Sequence, residues 1–255
     1  MPCILITGAS SGIGAALARL YAAPDTHLVL HARDALRLDA VAQACRVRGA
    51  TVETERLDVR DRDAMRACLQ AADARRPLDL VVVNAAINGG HPSGDLETEE
   101  TAFETVAINL DGALNVALPC LTLMLARGRG QIALMSSLAA FAPLPDAPAY
   151  SGAKAALLAH GLALREKVRA RGVKVNVVLP GYVRTPMGGE YKGWRPFEMS
   201  ADRAAIHIAA GLARDRDIVA FPTILAILAR GAALLPEGLR RRGMHGFRFQ
   251  VRQRL

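Results

Sequence analysis

The chain of 255 residues is poor in aromatic side chains, at 4%, and has only four cysteines. It also lacks any run of about 20 uninterrupted apolar residues, the length a membrane span needs. Each lack excludes a class. Cys3, Cys45, Cys68 and Cys120 lie far apart and form no Cys-x-x-Cys. Neither a disulfide scaffold nor a zinc ribbon is encoded, and the four read as reduced thiols of a cytoplasmic protein. The six His are scattered without metal-ligand spacing, so no metal is expected. The longest nearly apolar stretch, Ile218 to Leu235, is broken by Pro222, Thr223, Arg230 and Gly231. No basic residue precedes Arg19, so a secretory signal is not expected either.

The net charge of +8 is unevenly spread. Residues 240–255 hold six Arg and no acid, leaving 26 basic against 24 acidic residues in the other 239. The excess belongs to a tail and is not the footprint of a nucleic-acid-binding face. What is abundant is apolar: 51% of residues, enough for a sizeable core.

Apolar runs alternate with helical patterns along the chain. Cys3–Thr7, His27–His31, Thr51–Leu57, Leu78–Val83, Gln131–Ser136, Val173–Leu179 and Asp217–Phe221 read as strands. Ile13–Tyr21, Asp34–Arg48, Asp61–Ala74, Glu100–Arg127, Pro148–Arg171 and Ser200–Ala213 read as helices, with Asp34 as an N-cap and Pro148 in a first turn. This alternation predicts an α/β fold: one doubly wound parallel sheet of about seven strands with helices on both faces. No linker or repeat divides it, so residues 1–255 form a single domain. Pro180–Met199 has no periodicity, and a loop that long in a compact domain is commonly functional. Residues 187–215 are expected to form a lid, and 236–255 a basic arm.

Three motifs carry chemistry. Thr7-Gly-Ala-Ser-Ser-Gly-Ile-Gly14 joins the first strand to the first helix, where glycines admit a ligand to the backbone and a helix N-terminus favours phosphate. Tyr150 and Lys154 are one helical turn apart, so the ammonium is placed to favour the phenolate. Ser136-Ser137 ends a strand, where open parallel sheets place ligands. Taken singly, each has a bland alternative: a tight turn, a solvated helix face, a pair of capping hydroxyls.

Thr7-Gly-x3-Gly-x-Gly14, Asn84-Ala-Ala, Asn109, Ser137, Tyr150-x3-Lys154 and Pro180-Gly-x-Val-x-Thr185 occur together, in the order that resembles the classical short-chain dehydrogenases/reductases. The resemblance is close from residue 3 to about 187. It implies a Rossmann-type fold, a nicotinamide dinucleotide, and a catalytic tetrad of Asn109, Ser137, Tyr150 and Lys154. Tyr150 would be the general acid/base and Ser137 would polarise the carbonyl oxygen. Lys154 would bind ribose and lower the Tyr150 pKa, and Asn109 would position a relay water. Gly8, Ser10, Ser11, Gly12, Ile13 and Gly14 would wrap the ribose and pyrophosphate, Asp58 and Val59 would contact adenine, and Asn84 and Ala85 would lie under the ribose. Pro180, Gly181, Val183 and Thr185 would hold the carboxamide end. Val83 and Ala86 depart from the family's usual Asn-Asn-Ala-Gly, which implies a small adjustment of the strand end.

Cofactor choice is written at the end of the second strand. Ala32 stands where members preferring NAD carry an acid, and Arg33 follows, suited to a 2′-phosphate. The expected cofactor is therefore NADP(H), with NAD(H) as the alternative and adjacent Asp34 as a counterweight. Leu138, Phe141, Leu144, Tyr191 and Trp194 are the expected substrate contacts, and their character suggests an apolar ketone, aldehyde or alcohol. The ending after Phe221 looks less like acyl-carrier ketoacyl reductases than like hydroxysteroid-type members. Family members commonly pair through the two long helices, which implies a homodimer or homotetramer. The rival readings are an NAD-dependent alcohol or hydroxysteroid-type dehydrogenase, a dinucleotide-binding regulator without turnover, and a tail that lies on an anionic membrane surface. Gly243 and Gly246 interrupt any long amphipathic helix in that tail, which favours an arm docked on the protein's own dimer.

Overall fold

The computed structural model describes residues 1–91, 95–189, 191–232 and 250–251. In chain order the elements are β1 Cys3–Thr7, α1 Gly12–Tyr21, β2 His27–Ala32, α2 Ala35–Val47, β3 Thr51–Arg56, α3 Arg62–Arg75 and β4 Leu80–Val83. There follow α4 Glu99–Val106, a π-turn over Ala107–Asp111, α5 Gly112–Arg127, β5 Gly130–Met135, α6 Pro148–Val168 and β6 Val173–Pro180. Two-residue strands β7 Val183–Arg184, β8 Tyr191–Lys192 and β9 Met199–Ser200 surround the short α7 Pro186–Gly189. The described chain ends with α8 Ala201–Ala213, β10 Ile218–Phe221, α9 Thr223–Ala232 and β11 Gln250–Val251.

The main sheet has the order β10-β6-β5-β4-β1-β2-β3, and every pairing in it is parallel. This is the doubly wound, Rossmann-type arrangement expected. Its strands are continuous apolar runs because helices cover both faces. Ile4 and Ile6 of β1 pack with α1, α2 and α8, whereas Cys3 and Leu5 pack with α3 and α5, as the two-residue alternation of a strand requires. The order reverses between β1 and β4, so the crevice for a ligand opens at the carboxyl ends of those strands.

Three readings are adjusted. The helix expected over 100–127 is a 29-residue helical run, Glu99–Arg127, with a π-turn inside it. That run is long and apolar enough to cross a membrane, but nearly half of its most apolar 18-residue stretch is buried, and α5 packs on α3 and β5 as a core helix. Pro180–Met199 contains a short helix and small strands and is not a plain loop. The arm 236–255 lies outside the described residues except for Gln250–Val251, whose backbone pairs antiparallel with Tyr191–Lys192 of the same chain. All four cysteines are free, and burial pushes the Cys3 thiol up to about 12 and the Cys68 thiol to about 11, so neither is a reactive thiolate at neutral pH.

Candidate active site

The ends of β1 and β4 are fastened to one another. The Thr7 hydroxyl accepts from the backbone N–H groups of Asn84 and Ala85, at 2.9 and 3.1 Å. The Asn84 amide donates back to the Thr7 and Gly8 carbonyls, at 2.9 and 3.2 Å. Asn84 thus fixes the glycine turn. Gly8 and Gly12 sit at positive φ, +65° and +55°. A Cβ on Gly14 would come within 2.3 Å of the Gly8 carbonyl oxygen, so only glycine lets α1 start this close to β1. Val83, one of the two departures, is the last residue of β4 and is buried in the core, and Ala86 lines the cavity.

The amide donors at the start of α1 remain available. Asp34, Asp61, Thr98 and Ser200 close the first turns of α2, α3, α4 and α8 by accepting a backbone N–H. Ser11, the N-cap of α1, makes no such bond. Free N–H groups, a favourable helix dipole and a cradle that any Cβ would fill suit a pyrophosphate. The site therefore fits a dinucleotide on its own geometry.

A cavity of about 1330 Å³ runs from this turn across the sheet ends. At one end its wall includes Ser10, Arg33, Asp58 and Val59, and at the other Ser137, Leu138, Leu144 and Tyr150. Pro180, Gly181, Val183 and Thr185 complete one side, as expected. Ser11, Gly12, Ile13, Asn84, Ala85 and Lys154 also line it, whereas Gly14 lies beneath the turn.

Ser137 follows β5 and caps the 3₁₀ turn Leu138–Ala140, its hydroxyl accepting from Ala139 N–H at 3.1 Å. Tyr150 is the third residue of α6, with Pro148 at the helix start. Lys154, one turn later, is buried and donates from Nζ to the Met135 carbonyl at 2.8 Å. The ammonium sits 5.6 Å from the centre of the Tyr150 ring. Ser136, beside the catalytic candidate, donates to the Lys154 carbonyl at 2.7 Å and locks α6 to β5.

The expected lowering of the Tyr150 pKa is not what the protein alone produces. Burial pushes the phenol up from its ordinary value, and the hydrogen bond with Ser137 opposes that shift. Burial also brings Lys154 down to about 8. Desolvation is the larger of the two effects on the phenol and the whole of the effect on the ammonium.

Asn109 stands behind that wall, in the π-turn, fully buried. Its side-chain amide is engaged at both ends by Ile87, accepting from its N–H at 2.8 Å and donating to its carbonyl at 2.9 Å. That side chain therefore holds the segment after β4.

Two expected substrate contacts lie elsewhere. Phe141 packs in a cluster with Leu158, Val177 and Ala226, under the Arg230 guanidinium at 5.4 Å, because its turn points it away from the cavity. Trp194 is 66% exposed and is not part of the wall. The Tyr191 side chain lies outside the described residues. The wall instead uses Met187 and the α9 residues Leu225, Ile227 and Leu228, which sequence reasoning missed. For the α9 residues the one signal was the nearly apolar stretch from Ile218 to Leu235.

Arg33 is half-exposed at the cavity rim, with Nη1 3.7 Å from an Asp58 carboxylate oxygen. The Arg60 hydrogen bonds, ahead of the Arg33 charge, hold the Asp58 carboxyl below its ordinary range. Asp34, the feared counterweight, is engaged: it accepts Arg37 N–H at 3.0 Å as N-cap and pairs with the Arg37 guanidinium at 3.2 Å.

Comparison with known proteins agrees with this arrangement. The family model for short chain dehydrogenases matches residues 2–196. A Myxococcus xanthus protein described as an uncharacterized oxidoreductase is 34% identical over 92% of this chain and 93% of its own length. Among solved structures, a short-chain dehydrogenase from Sphingobium yanoikuyae in complex with NADPH is 28% identical, with a TM-score of 0.79 over 100% of this chain and 98% of that one. An actinorhodin polyketide ketoreductase variant with NADPH is 25% identical, with a TM-score of 0.75 over 86% of this chain and 94% of that one. The chain belongs to the short-chain dehydrogenase/reductase family of oxidoreductases, which act on small alcohol and ketone substrates with a nicotinamide dinucleotide.

Proposed function

We propose that the protein is an NADP(H)-dependent carbonyl reductase of apolar ketones or aldehydes. The observation that carries the cofactor choice is at the end of β2. Ala32 and Arg33 face the cavity rim while the nearest acids, Asp34 and Asp58, are paired with Arg37 and Arg60. The half-exposed Arg33 guanidinium is held only by a 3.7 Å pair with Asp58, which Arg60 already binds more closely, and it matches a 2′-phosphate. NADPH, when bound, supplies the hydride for carbonyl reduction. The Ser137 hydroxyl and the Tyr150 phenol both present O–H groups to the carbonyl oxygen, and Tyr150 gives up its proton to it. A phenol held above its ordinary range stays protonated at neutral pH, as an acid for reduction requires. Lys154 keeps a cation behind the ring and offers Nζ to ribose hydroxyls. Asn109 acts as a positioning residue through Ile87.

The substrate end is walled by Leu138, Leu144, Leu225, Ile227 and Leu228. This apolar lining supports a bulky lipophilic carbonyl. Phe103, on α4, and Leu118, on α5, are exposed on the long helical run, and they support pairing of two chains there.

Fluorescence titration with NADPH and NADH, on the wild type and on Arg33→Ala, tests the reading. NADPH should bind at least about tenfold tighter than NADH, in line with a charge-assisted contact, and Arg33→Ala should erase that gap. NADPH consumption with apolar ketones and aldehydes should follow. NADH binding as tight as NADPH would overturn the cofactor choice and favour NAD-dependent alcohol oxidation.

A further inference from the structure

Among the described residues, the wall of the cavity contains a buried imidazole with no hydrogen-bond partner. His31 is the last residue but one of β2, paired in register with Thr7 of β1 and Glu55 of β3. It is 2% exposed, and neither ring nitrogen has a hydrogen-bond partner among the described residues. Alternation along β2 puts His27, Val29 and His31 on one face. On that face His27 finds Glu53, at 2.9 Å from Nε2. His31 finds nothing, yet it lines the cavity beside Ala32, Arg33 and Asp58. Its carbonyl accepts the Ala9 N–H of the glycine turn at 3.0 Å, which ties the end of β2 to that turn.

A buried imidazole with unmet hydrogen bonds destabilises a fold, and an aliphatic residue would fill this strand position without that cost. The arrangement makes sense if a ligand completes it. We propose that His31 is a cofactor-recognition residue whose imidazole hydrogen-bonds the adenosine half of the dinucleotide, at the base and ribose that NADPH and NADH share. This rests on the reading of the cavity as a dinucleotide site. Burial holds the ring down to about 4, against the pull of Asp58, so it is uncharged at neutral pH. An uncharged ring offers one N–H and one lone pair, which suits adenine's mixed donor and acceptor edges and gives no preference for a 2′-phosphate dianion. His31 and Arg33 therefore divide the work: Arg33 selects the phosphate, and His31 holds the adenosine.

The test uses the full chain and three probes: NADPH, NADH and 5′-AMP. His31→Leu should weaken all three by about tenfold, the scale of one lost buried hydrogen bond. The NADPH-to-NADH ratio should not change, whereas Arg33→Ala changes that ratio alone. The free His31→Leu protein should melt no lower than the wild type, which a merely structural histidine would not show. Independently, 5′-AMP added to the wild type should move the His31 imidazole nitrogen resonances. Unchanged affinities in His31→Leu, loss confined to NADPH, or immobile imidazole resonances would each overturn the proposal. A wild type that binds neither dinucleotide would instead defeat the underlying reading of the cavity.

Discussion

Lys154 is buried away from the water that would solvate its charge, and its Nζ donates to the Met135 carbonyl. Its folded pKa of about 8 lies below the roughly 10.4 of a free lysine. Between those values the unfolded chain binds the extra proton, so stability rises with pH across that window. Below pH 8 the burial penalty is present in full, at most about 3 kcal/mol and offset in part by Met135. Lys154→Met removes the titration. Denaturant melts from pH 8 to 9.5 should show the wild type gaining on this variant by roughly 1 kcal/mol per pH unit. A pH-independent difference would mean that the ammonium is solvated. At this scale Ser137, Tyr150 and Lys154 were legible because one strand end and one helical turn fix their spacing. The direction of the Tyr150 shift was not, because burial is a property of the folded wall. Nor was Phe141, whose aim depends on a single 3₁₀ turn.

The start of α6 shows how elements are tied to the site. Its N-cap, Ala147, has no side chain able to close the first turn. Glu97, 52 residues before Ala149, does so: its Oε2 accepts the Ala149 N–H at 2.9 Å, next to Tyr150. Oε1 accepts Gly90 N–H at 2.6 Å, tying in the segment after β4. A carboxylate there also suits the helix dipole. Glu97→Ala should lower stability by about 1 kcal/mol, as loss of a cap does. It should also reduce kcat through misplacement of Tyr150, with the dissociation constant for NADPH nearly unchanged. A fall in NADPH affinity without loss of kcat would refute that positioning role. Such long-range caps are invisible to sequence, whereas Asp34 beside its own helix is readable. The π-turn escaped for a related reason. Ala107–Asp111 continues the apolar pattern of its flanks, and what admits the extra residue is packing: a Cβ on Gly112 would meet Val59 at 2.6 Å. The stop at the other end was legible, since Gly128 takes φ +69° in the left-handed region.

For the whole molecule, a doubly wound parallel sheet with its ligand crevice at the carboxyl ends of the strands could be read from the alternation, whereas the strand order and the reversal between β1 and β4 come from the fold itself. What closes the crevice could not be read either. After β10, α9 adds Leu225, Ile227 and Leu228 to the wall of the cavity, far in sequence from Leu138 and Leu144, and Leu225 packs in one cluster with Leu138. Ile227 and Leu228 remain 65% and 60% exposed, although large apolar side chains usually avoid water. A bulky apolar substrate would cover them and gain on the order of 25 cal/mol per Å² of buried surface. A small substrate would reach Tyr150 without touching them. Leu228→Ser should therefore raise KM about tenfold for a bulky aryl or long-chain ketone, the loss expected for most of one buried leucine. KM for a short aldehyde, and the dissociation constant for NADPH, should stay within about twofold, since neither contacts that side chain. Steady-state kinetics on the two substrates decide it. An equal rise for both would mean that α9 braces the fold, and no change for either would place the substrate along another wall.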